Sequence, residues 1–412
     1  MKDNIKWSDG TAITAKDVIE SWQRLKDPKT AAPYSTWINA ASFTIQNEQI
    51  FSIHFPTPTP LFPLLCSFHS LAPIPQQLRL KRPGEFSIDI PFSGPYIIQE
   101  HRIRNYTRLI SNPHYHNSNT DSIQSIDFKV IPSNWTGLNM FLSKEIDYLP
   151  QIPELAIPKI QETQPNALKI NPRFATYFLR LKQNDGALSN KKLRQALNLS
   201  IDRKKLCSLL GGEKKPINTL VPPLTLNYSG ASEITFAPRQ ALELYKESLE
   251  EEGLTKLSLD YLYPSSELNR IIAEFLMQSW QETLGLRITL NPLESKSFFP
   301  QQQNLNYQIS HSSWIGDYYD PFTFLEIFQS GHRNNRSGYS NKKYDALLSK
   351  SQYQKEARLK TLSLAEQTLL EDFAIIPLFQ DTSLELLRSN ITGHTTNGLG
   401  IINFQEWRIA NE

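Results

Sequence analysis

One stretch decides how this chain is interpreted, namely Ser310-His311-Ser312-Ser313-Trp314-Ile315-Gly316-Asp317-Tyr318-Tyr319-Asp320-Pro321. It begins as a strand, and Gly316 then allows another backbone to approach closely just before Asp317. A carboxylate flanked by aromatic rings is suited to a small ligand that carries an amine. The same pattern also describes an ordinary strand that runs into an Asp-Pro turn. Both interpretations stay open on the local pattern.

A strand, a helix and a second strand are predicted just before this stretch. Leu259 and Tyr261 alternate with polar residues, Ile288 and Leu290 do the same, and the helix spans Glu267–Leu284. A parallel sheet with a covering helix is the economical interpretation. The opening stretch then follows as another strand, whose loop lies beyond the carboxyl ends of the strands. Ligands bind there in open α/β sheets, so the position favours a binding site.

Local patterns predict further elements on both sides. A helix begins after Thr14, which acts as N-cap, and Asp17 completes a capping box. Leu193, Leu197 and Ile201 follow at helical spacing and predict one apolar helix face. Other helices are predicted at 135–144, 154–162, 238–253, 340–349 and 357–371, and strands at 45–55, 106–110, 126–130, 177–181 and 375–379.

The composition is that of a folded protein with more than one domain. A chain of 412 residues with 39% apolar residues usually divides into two or three domains. The 43 basic and 41 acidic residues give a formal charge of +2, which does not indicate a nucleic-acid partner. No apolar run is long enough to span a membrane. Cys66 and Cys207 form no recognisable pair, and we expect two buried thiols.

Signatures of catalysis and of cofactors are missing. The sequence contains no GxSxG, HExxH, Walker A or GxGxxG motif. His114 and His116 are two positions apart, but no third ligand is fixed nearby, so we predict no metal and no cofactor. Of the two acids in the opening stretch, Asp320 precedes proline as turn formers do, and Asp317 is the candidate that remains. We therefore predict a protein that is not an enzyme.

Separated motifs along the chain carry a family resemblance. They are Lys6-Trp7-Ser8-Asp9-Gly10-Thr11, Thr14-Ala15-Lys16-Asp17-Val18, Ser21-Trp22-Gln23-Arg24, Ser93-Gly94-Pro95-Tyr96, Leu193-Arg194-Gln195-Ala196-Leu197, Ile201-Asp202-Arg203 and Trp314-Ile315-Gly316-Asp317-Tyr318. In their order and spacing, the chain resembles the periplasmic oligopeptide-binding proteins of extracellular solute-binding protein family 5. These proteins are the substrate-binding components of peptide ABC importers.

The resemblance implies an α/β fold of the periplasmic-binding-protein type, with mixed sheets. Two lobes joined by a hinge would close on the cargo, and a small α+β lobe would be added to them. The implied boundaries are 1–92 for the small lobe, 93–173 with 386–412 for the first binding lobe, and 174–385 for the second. The implied partners are a peptide and the ABC permease subunits at the inner membrane. A monomer in the periplasm is expected.

The resemblance also implies which residues hold the cargo. Asp317 would pair with the α-ammonium of a peptide, and the backbone of Trp314, Ile315 and Gly316 would pair with the peptide as an added strand. Tyr318 belongs to the same motif.

Other positions depart from the family pattern. Arg180 and His311 replace an acid and an arginine of better-known members, so they are weaker candidates for a ligand carboxylate. Ordinary surface charges are the alternative for both. Ser295 stands where those members have a pocket tryptophan. The cargo therefore stays open between oligopeptides and a dipeptide, a modified peptide or a metal chelate.

The first residues differ from those of the family. No secretory signal is visible in Met1-Lys2-Asp3-Asn4-Ile5-Lys6-Trp7, and the segment that supplies strands to the first binding lobe is absent. Either the true start lies upstream or the product is truncated. A truncated product would expose sheet edges, so we expect it to be unstable and to bind peptide weakly. A remnant with impaired binding is then an alternative function.

Overall fold

A computed structural model describes residues 1–32, 34–81, 88–117, 122–184, 186–223, 228, 230 and 236–410. The chain divides into two compact units. Unit 1 comprises Met1–Ser143, Arg388–Thr396 and Ile402–Glu412, and unit 2 comprises Lys144–Leu387 and Asn397–Ile401. The boundaries predicted from the sequence stay a prediction.

Helices and strands occur in both units. Up to residue 143 they are α1 (Ala15–Lys26), β1 (Ser42–Ile45), β2 (Phe51–His54), α2 (Phe62–Leu65), α3 (Gln76–Arg79), β3 (Tyr96–Arg102), β4 (Tyr106–Ser111), β5 (Ser125–Lys129) and α4 (Asn134–Leu142). From residue 144 they are β6 (Tyr148–Leu149), α5 (Ile157–Thr163), β7 (Leu168–Leu181), α6 (Lys191–Leu199), α7 (Arg203–Leu210), β8 (Lys215–Pro216), α8 (Pro238–Glu251), β9 (Ser258–Pro264), α9 (Glu267–Leu284), β10 (Arg287–Leu293), α10 (Ser295–Gln303), β11 (Ile309–Ile315), α11 (Phe322–Leu325), α12 (Lys342–Ser351), α13 (Arg358–Glu371), β12 (Ile375–Leu387), β13 (Ile391–Thr392) and β14 (Arg408–Ile409). Short 3-10 helices lie at Pro28–Thr30, Ser35–Trp37, His69–Leu71, Glu154–Ala156, Ala187–Ser189, Glu326–Phe328 and Phe404–Glu406.

The described residues of unit 1 form three small antiparallel sheets, β1-β2, β3-β4-β5 and β13-β14. Its longest helix, α1, begins as the sequence predicts. The Asp17 amide donates to the Thr14 hydroxyl at 3.4 Å, and the Thr14 amide donates to the Asp17 carboxylate at 2.9 Å. This reciprocal pair satisfies two amides that the first turn would otherwise leave open. The predicted capping box is confirmed.

Unit 2 is built on one mixed sheet in the order β10-β9-β11-β7-β12-β6, with β8 paired to β12. β9 and β10 are parallel and are connected by α9, which confirms the predicted strand-helix-strand unit. Ser266 caps the first turn of α9, and Gly285 ends the helix with a left-handed φ of 70°. β11 lies between β9 and β7, which places the opening stretch inside this sheet.

The largest core of unit 2 lies between the sheet and its helices. Buried residues of α6, α8 and α9 pack with Leu179, Tyr261 and Ile288 from the strands. Trp280 of α9 is fully buried, and its indole N–H donates to the Leu197 carbonyl at 3.0 Å. Because the bulky indole keeps its hydrogen bond, its burial is favourable. This core fixes the strands that carry the candidate site.

Several local predictions differ from the structure. Ile201 lies beyond the end of α6, although it is fully buried. β12 continues eight residues beyond Phe379, to Leu387, because it pairs with β7 along its length. Cys66 is exposed, so only Cys207 is the buried thiol that we expected. Among the described residues, no helix combines the length and apolarity that a membrane crossing requires.

Candidate functional site

The candidate site lies on β11, whose two edges are paired to different extents. All seven residues of this strand pair with β7, whereas only Ile309 and Ser310 pair with β9. Beyond Ser310, no strand in the described part of the chain pairs with the β9-facing edge of β11. That edge is therefore open for the second half of the strand.

The alternation of an antiparallel ladder shows which backbone groups face the open edge. The Gln308 carbonyl accepts from the amide of Lys182, the residue directly after β7, at 3.0 Å, and the Gly316 amide donates to the Phe174 carbonyl of β7 at 2.8 Å. The even-numbered residues of β11 therefore face β7. Odd-numbered residues face the other edge. The carbonyl of His311 is already occupied by the Gln302 side chain at 2.9 Å. Ser313 and Ile315 are then the two residues that present their backbone to the open edge.

Gly316 is required where β11 ends. Its amide donates to the Phe174 carbonyl at 2.8 Å. A Cβ atom at Gly316 would lie 2.5 Å from the ring of Phe174 and 3.1 Å from the ring of Phe324. Both rings are fully buried and cannot move aside without disturbing the core. Only glycine fits, which explains its place before Asp317.

The anchor loop, residues 316–321, contains Asp317 at the end of the open edge. The Asp317 amide donates to the Thr323 hydroxyl at 3.1 Å, which orients the backbone of the loop. The side chain of Asp317 is half-buried. A carboxylate in this position can accept hydrogen bonds from a cation at the end of a peptide strand.

A second carboxylate of the anchor loop has a structural role. Asp320 accepts two hydrogen bonds from the Arg358 guanidinium, at 2.5 and 2.8 Å, and both side chains are buried. Asp320 also accepts from the Phe322 amide at 2.9 Å, as a turn-forming aspartate does. Bidentate pairing of this kind is the strong form of an ion pair. Asp320 therefore stabilises the conformation of the anchor loop.

A third carboxyl group lies behind the loop. Tyr318 donates its hydroxyl to the Glu326 carboxyl at 3.1 Å. Burial raises the pKa of Glu326 to about 8, and the charges of Asp317 and Asp320 add to this effect. Glu326 is thus largely protonated at neutral pH, because its ionised form would be a desolvated anion near two others.

Arg180 lies on β7 opposite Ser310 and is only 2% exposed. Its Nε donates to the Ser312 hydroxyl at 3.1 Å, and its guanidinium lies 5.3 and 4.8 Å from the rings of Phe178 and Phe328. Its Nη1 has no hydrogen-bond partner among the described residues. Burial lowers the pKa of Arg180 to about 10, so the side chain stays charged at neutral pH.

His311 is also buried, but it lies on the other face of the sheet. Paired residues of an antiparallel ladder share a face, so Arg180 shares one with Ser310 and His311 shares the opposite one with Leu179. Burial lowers the pKa of His311 to about 4, and its ring lies 5.3 Å from that of Tyr177. The structure therefore does not bring Arg180 and His311 together. Because both are buried, their alternative interpretation as surface charges is wrong.

Further polar side chains lie on the same face of the sheet as Arg180, and the sequence analysis did not predict that these side chains belong to the site. Thr176 pairs with Trp314 across β7 and β11, and the Thr176 hydroxyl and the Trp314 indole nitrogen are buried without a partner in the described residues. The Nε atom of Arg336 is also buried without a hydrogen-bond partner in the described residues. The sequence does contain one sign of a polar group inside this sheet, because Arg180 is the only charged residue in the apolar run 177–181. The loop residue Arg336 has no such signal.

Comparison with known proteins gives relatives that match nearly all of this chain, which spans about four fifths of their length. The chain is 26% identical to the periplasmic murein peptide-binding protein MppA of Escherichia coli over 96% of this chain and 79% of the relative. It is 26% identical to the periplasmic oligopeptide-binding protein OppA of Salmonella typhimurium over 96% of this chain and 78% of that protein.

A solved structure supports the fold. A periplasmic oligopeptide-binding protein of Borrelia burgdorferi, OppAIV, superposes with a TM-score of 0.86 at 28% identity, over 99% of this chain and 87% of the other. The predicted α/β fold of the periplasmic-binding-protein type, with several sheets, is confirmed. The sheet of unit 2 is mixed, and the described sheets of unit 1 are antiparallel.

The family comparison covers most of the chain. The family described as "Bacterial extracellular solute-binding proteins, family 5 Middle" matches residues 1–336. This range includes every motif on which the resemblance rests. Solute-binding proteins hold a cargo and do not transform it, so the prediction that the protein is not an enzyme is confirmed. The chain belongs to family 5 of the bacterial extracellular solute-binding proteins.

Proposed function

We propose that this protein binds peptides and delivers them to an ABC importer. The observation that carries the proposal is the open edge of β11 at Ser313 and Ile315, immediately before Asp317. A peptide that adds to this edge as a strand makes hydrogen bonds through its backbone, so its affinity depends little on its side chains. Of the backbone contacts predicted for Trp314, Ile315 and Gly316, the geometry favours Ile315 and adds Ser313.

Asp317 is the proposed partner of the peptide α-ammonium. Two consecutive amides hold the backbone directly before the carboxylate, since Gly316 donates to the Phe174 carbonyl and Asp317 donates to the Thr323 hydroxyl. A charge-assisted hydrogen bond in such a position contributes roughly 1.5 to 3 kcal/mol. It distinguishes a free amino terminus from an internal amide, which carries no charge. Tyr318 stabilises the anchor loop through its hydrogen bond to Glu326.

The relatives support a peptide as the cargo class. Two are named for the binding of murein peptides and of oligopeptides, and both are named as periplasmic proteins. The periplasmic location, the permease partner, the monomeric state and the closing of two lobes on the cargo belong to the same proposal. A modified peptide is the second candidate, favoured by the murein-peptide relative.

His311 receives less support as a ligand residue. Its ring is neutral at physiological pH because burial lowers its pKa to about 4. A neutral imidazole can still donate one hydrogen bond to a carboxylate. Arg180 keeps a full charge and is therefore the stronger candidate of the two.

The test is the variant Asp317→Asn, measured by calorimetry with a peptide that has a free amino terminus. Loss of the charge-assisted bond should weaken binding about tenfold or more. An amino-terminally acetylated form of the peptide is the matched control. It should bind the natural protein weakly and should be nearly insensitive to the substitution. Equal affinity of the free peptide for both proteins would exclude Asp317 as its partner.

A further inference from the structure

Three acidic side chains lie in and behind the anchor loop, and one of them has its countercharge built into the fold. Asp320 accepts two hydrogen bonds from Arg358, at 2.5 and 2.8 Å, so this guanidinium is committed to Asp320. Asp317 lies in the same loop, and Glu326 directly follows the short helix α11. The charges of Asp317 and Asp320 both act on the Glu326 carboxyl, and both oppose its ionisation. The three acids therefore form one electrostatic group.

Hydrogen bonds connect the anchor loop to the chain around Glu326. The Asp317 amide donates to the Thr323 hydroxyl at 3.1 Å, and Thr323 belongs to α11. Tyr318, the next residue of the loop, donates its hydroxyl to the Glu326 carboxyl at 3.1 Å. Tyr318 is only 2% exposed, so this hydrogen bond is shielded from water. Because electrostatic interactions are stronger in such surroundings than in water, a change of charge at Asp317 should change the pKa of Glu326.

The helices behind the loop add no positive charge to this group. Tyr344 of α12 is fully buried and donates its hydroxyl to a backbone carbonyl at 2.6 Å. The other charges that act on Tyr344 are those of Asp345 and Glu366, which are also acids. Glu366 accepts from the backbone amides of residues 220 and 221, at 2.8 Å each. In the described part of the chain, no cation is among the groups that act on the Glu326 carboxyl.

We propose that Glu326 releases its proton to solvent when Asp317 takes up the amino terminus of the cargo, so that pH regulates the affinity for the cargo. The inference deepens the proposed function and rests on it, because it takes Asp317 to be the partner of the peptide α-ammonium. Glu326 does not contact the cargo in this scheme. It acts through Asp317, and Tyr318 continues to donate its hydroxyl to the carboxylate that is formed.

The direction of the effect follows from the charges. Burial raises the pKa of Glu326 to about 8, and the Asp317 and Asp320 anions add to this effect, so the cargo-free protein holds the proton at neutral pH. An ammonium group at Asp317 offsets one of the two anions, which lowers the pKa of Glu326 in the complex. The complex then holds the proton less tightly than the free protein. Acid therefore favours the free protein, and the affinity increases as the pH rises toward 8.

Calorimetry in two buffers counts the protons. Tetraalanine and pentaalanine carboxamides with free amino termini are titrated into the natural protein at pH 7, in phosphate and in Tris, which differ in their enthalpy of ionisation. The binding heats should differ between the buffers in proportion to the protons released. Glu326→Gln should release fewer protons, by up to one for each peptide bound. The peptide amine titrates equally in both proteins, so the difference belongs to Glu326. Asp260→Asn, which changes an exposed acid of β9, should release as many protons as the natural protein.

The affinity itself gives a second measurement. A fall of the Glu326 pKa by one unit on binding corresponds to a rise of about fivefold between pH 6 and pH 8 in the affinity of the natural protein relative to that of Glu326→Gln. Tyr318→Phe removes a hydrogen bond that favours the ionised form of Glu326, so it should move this rise to higher pH. At pH 7 the Tyr318→Phe variant should release fewer protons than the natural protein, which keeps the test available if Glu326→Gln does not fold.

The coupling of the two acids can also be measured without cargo. Asp317→Asn removes one of the two anions that act on Glu326, so the pKa of Glu326 should fall. The part of the pH dependence of unfolding that Glu326→Gln abolishes should then lie at lower pH in the Asp317→Asn background. An unchanged position would show that Asp317 does not act on Glu326, and the inference would be overturned.

The outcomes separate this inference from the proposed function. If the peptides bind and the natural protein releases no more protons than Glu326→Gln, the proton linkage is excluded and peptide binding stands. If neither peptide binds between pH 6 and pH 8, the proposed function and this inference both fail.

Discussion

The anchor loop and Arg180 of β7 belong to the same unit, but the charges in these two places are treated in opposite ways. In the anchor loop, Asp320 is paired with Arg358, and behind the loop Glu326 keeps a proton and a hydrogen bond from Tyr318. On β7, Arg180 is as deeply buried as Arg358 and has no acid beside it in the described residues.

The difference teaches how structural and ligand-directed charges can be told apart. A charge that stabilises the fold has its partner inside the protein, so the loss of that partner lowers stability. A charge that is kept for a ligand has no internal partner, so its removal should affect binding and not stability. Three substitutions around the anchor loop test this comparison, from the largest expected effect to the smallest.

The variant Asp320→Asn should have the largest effect. It leaves the Arg358 guanidinium buried without an anion, which lowers the free energy of unfolding by about 3 to 5 kcal/mol. Chemical denaturation monitored by circular dichroism measures this change. Asp260→Asn, which removes an exposed acid from β9 of the same unit, is the control and should stay within about 0.5 kcal/mol. A loss for Asp320→Asn no greater than that of the control would show that the pair is not structural.

The variant Gly316→Ala should have an intermediate effect. The new methyl group would lie 2.5 Å from the Phe174 ring, so the fully buried ring must shift. Overpacking of this kind lowers stability by about 1 to 3 kcal/mol. The matched control is Gly94→Ala, since no atom lies within 4 Å of a Cβ placed there. Thermal unfolding of the two variants side by side gives the answer, and equal melting temperatures would contradict the close contact.

The variant Glu326→Gln should have the smallest effect, visible as a change in pH dependence. The folded-state pKa of Glu326 is raised from 4.5 to about 8, so between these values the folded protein keeps a proton that the unfolded chain has released. Unfolding then releases this proton, and the free energy of unfolding falls as the pH rises, by up to about 1.4 kcal/mol per pH unit. The glutamine variant should lose this slope.

Denaturant titrations between pH 6.8 and about 8 measure that slope most cleanly. Below pH 6.5, His311 contributes a slope of the opposite sign, because its folded-state pKa is lowered to about 4 and the unfolded chain binds the proton more tightly. If the free energy of unfolding changed with pH equally in the natural protein and the variant above pH 6.8, Glu326 would be ionised in the folded state.

Much of the candidate site could be predicted from residues close together in the sequence. The strand, Gly316 and Asp317 were all predicted from one short stretch, because strand alternation and the special role of glycine are local properties. The turn-forming role of Asp320 was predicted, but its pairing with Arg358 and the role of Glu326 were not. Asp320 is 38 residues from Arg358, and no local pattern shows that a helix so distant in sequence places its first residue against the loop.

The sequence by itself determined the capped helices, the strand-helix-strand unit and the family, since each depends on short-range periodicity or on motifs read in order. Only the tertiary structure decided which charges have partners. It placed Arg180 and His311 on opposite faces of one sheet, left an edge of β11 open, and buried Arg180 among rings and hydroxyl groups. The physical reason is that solvation and electrostatic pairing depend on neighbours in space, and those come from distant parts of the chain.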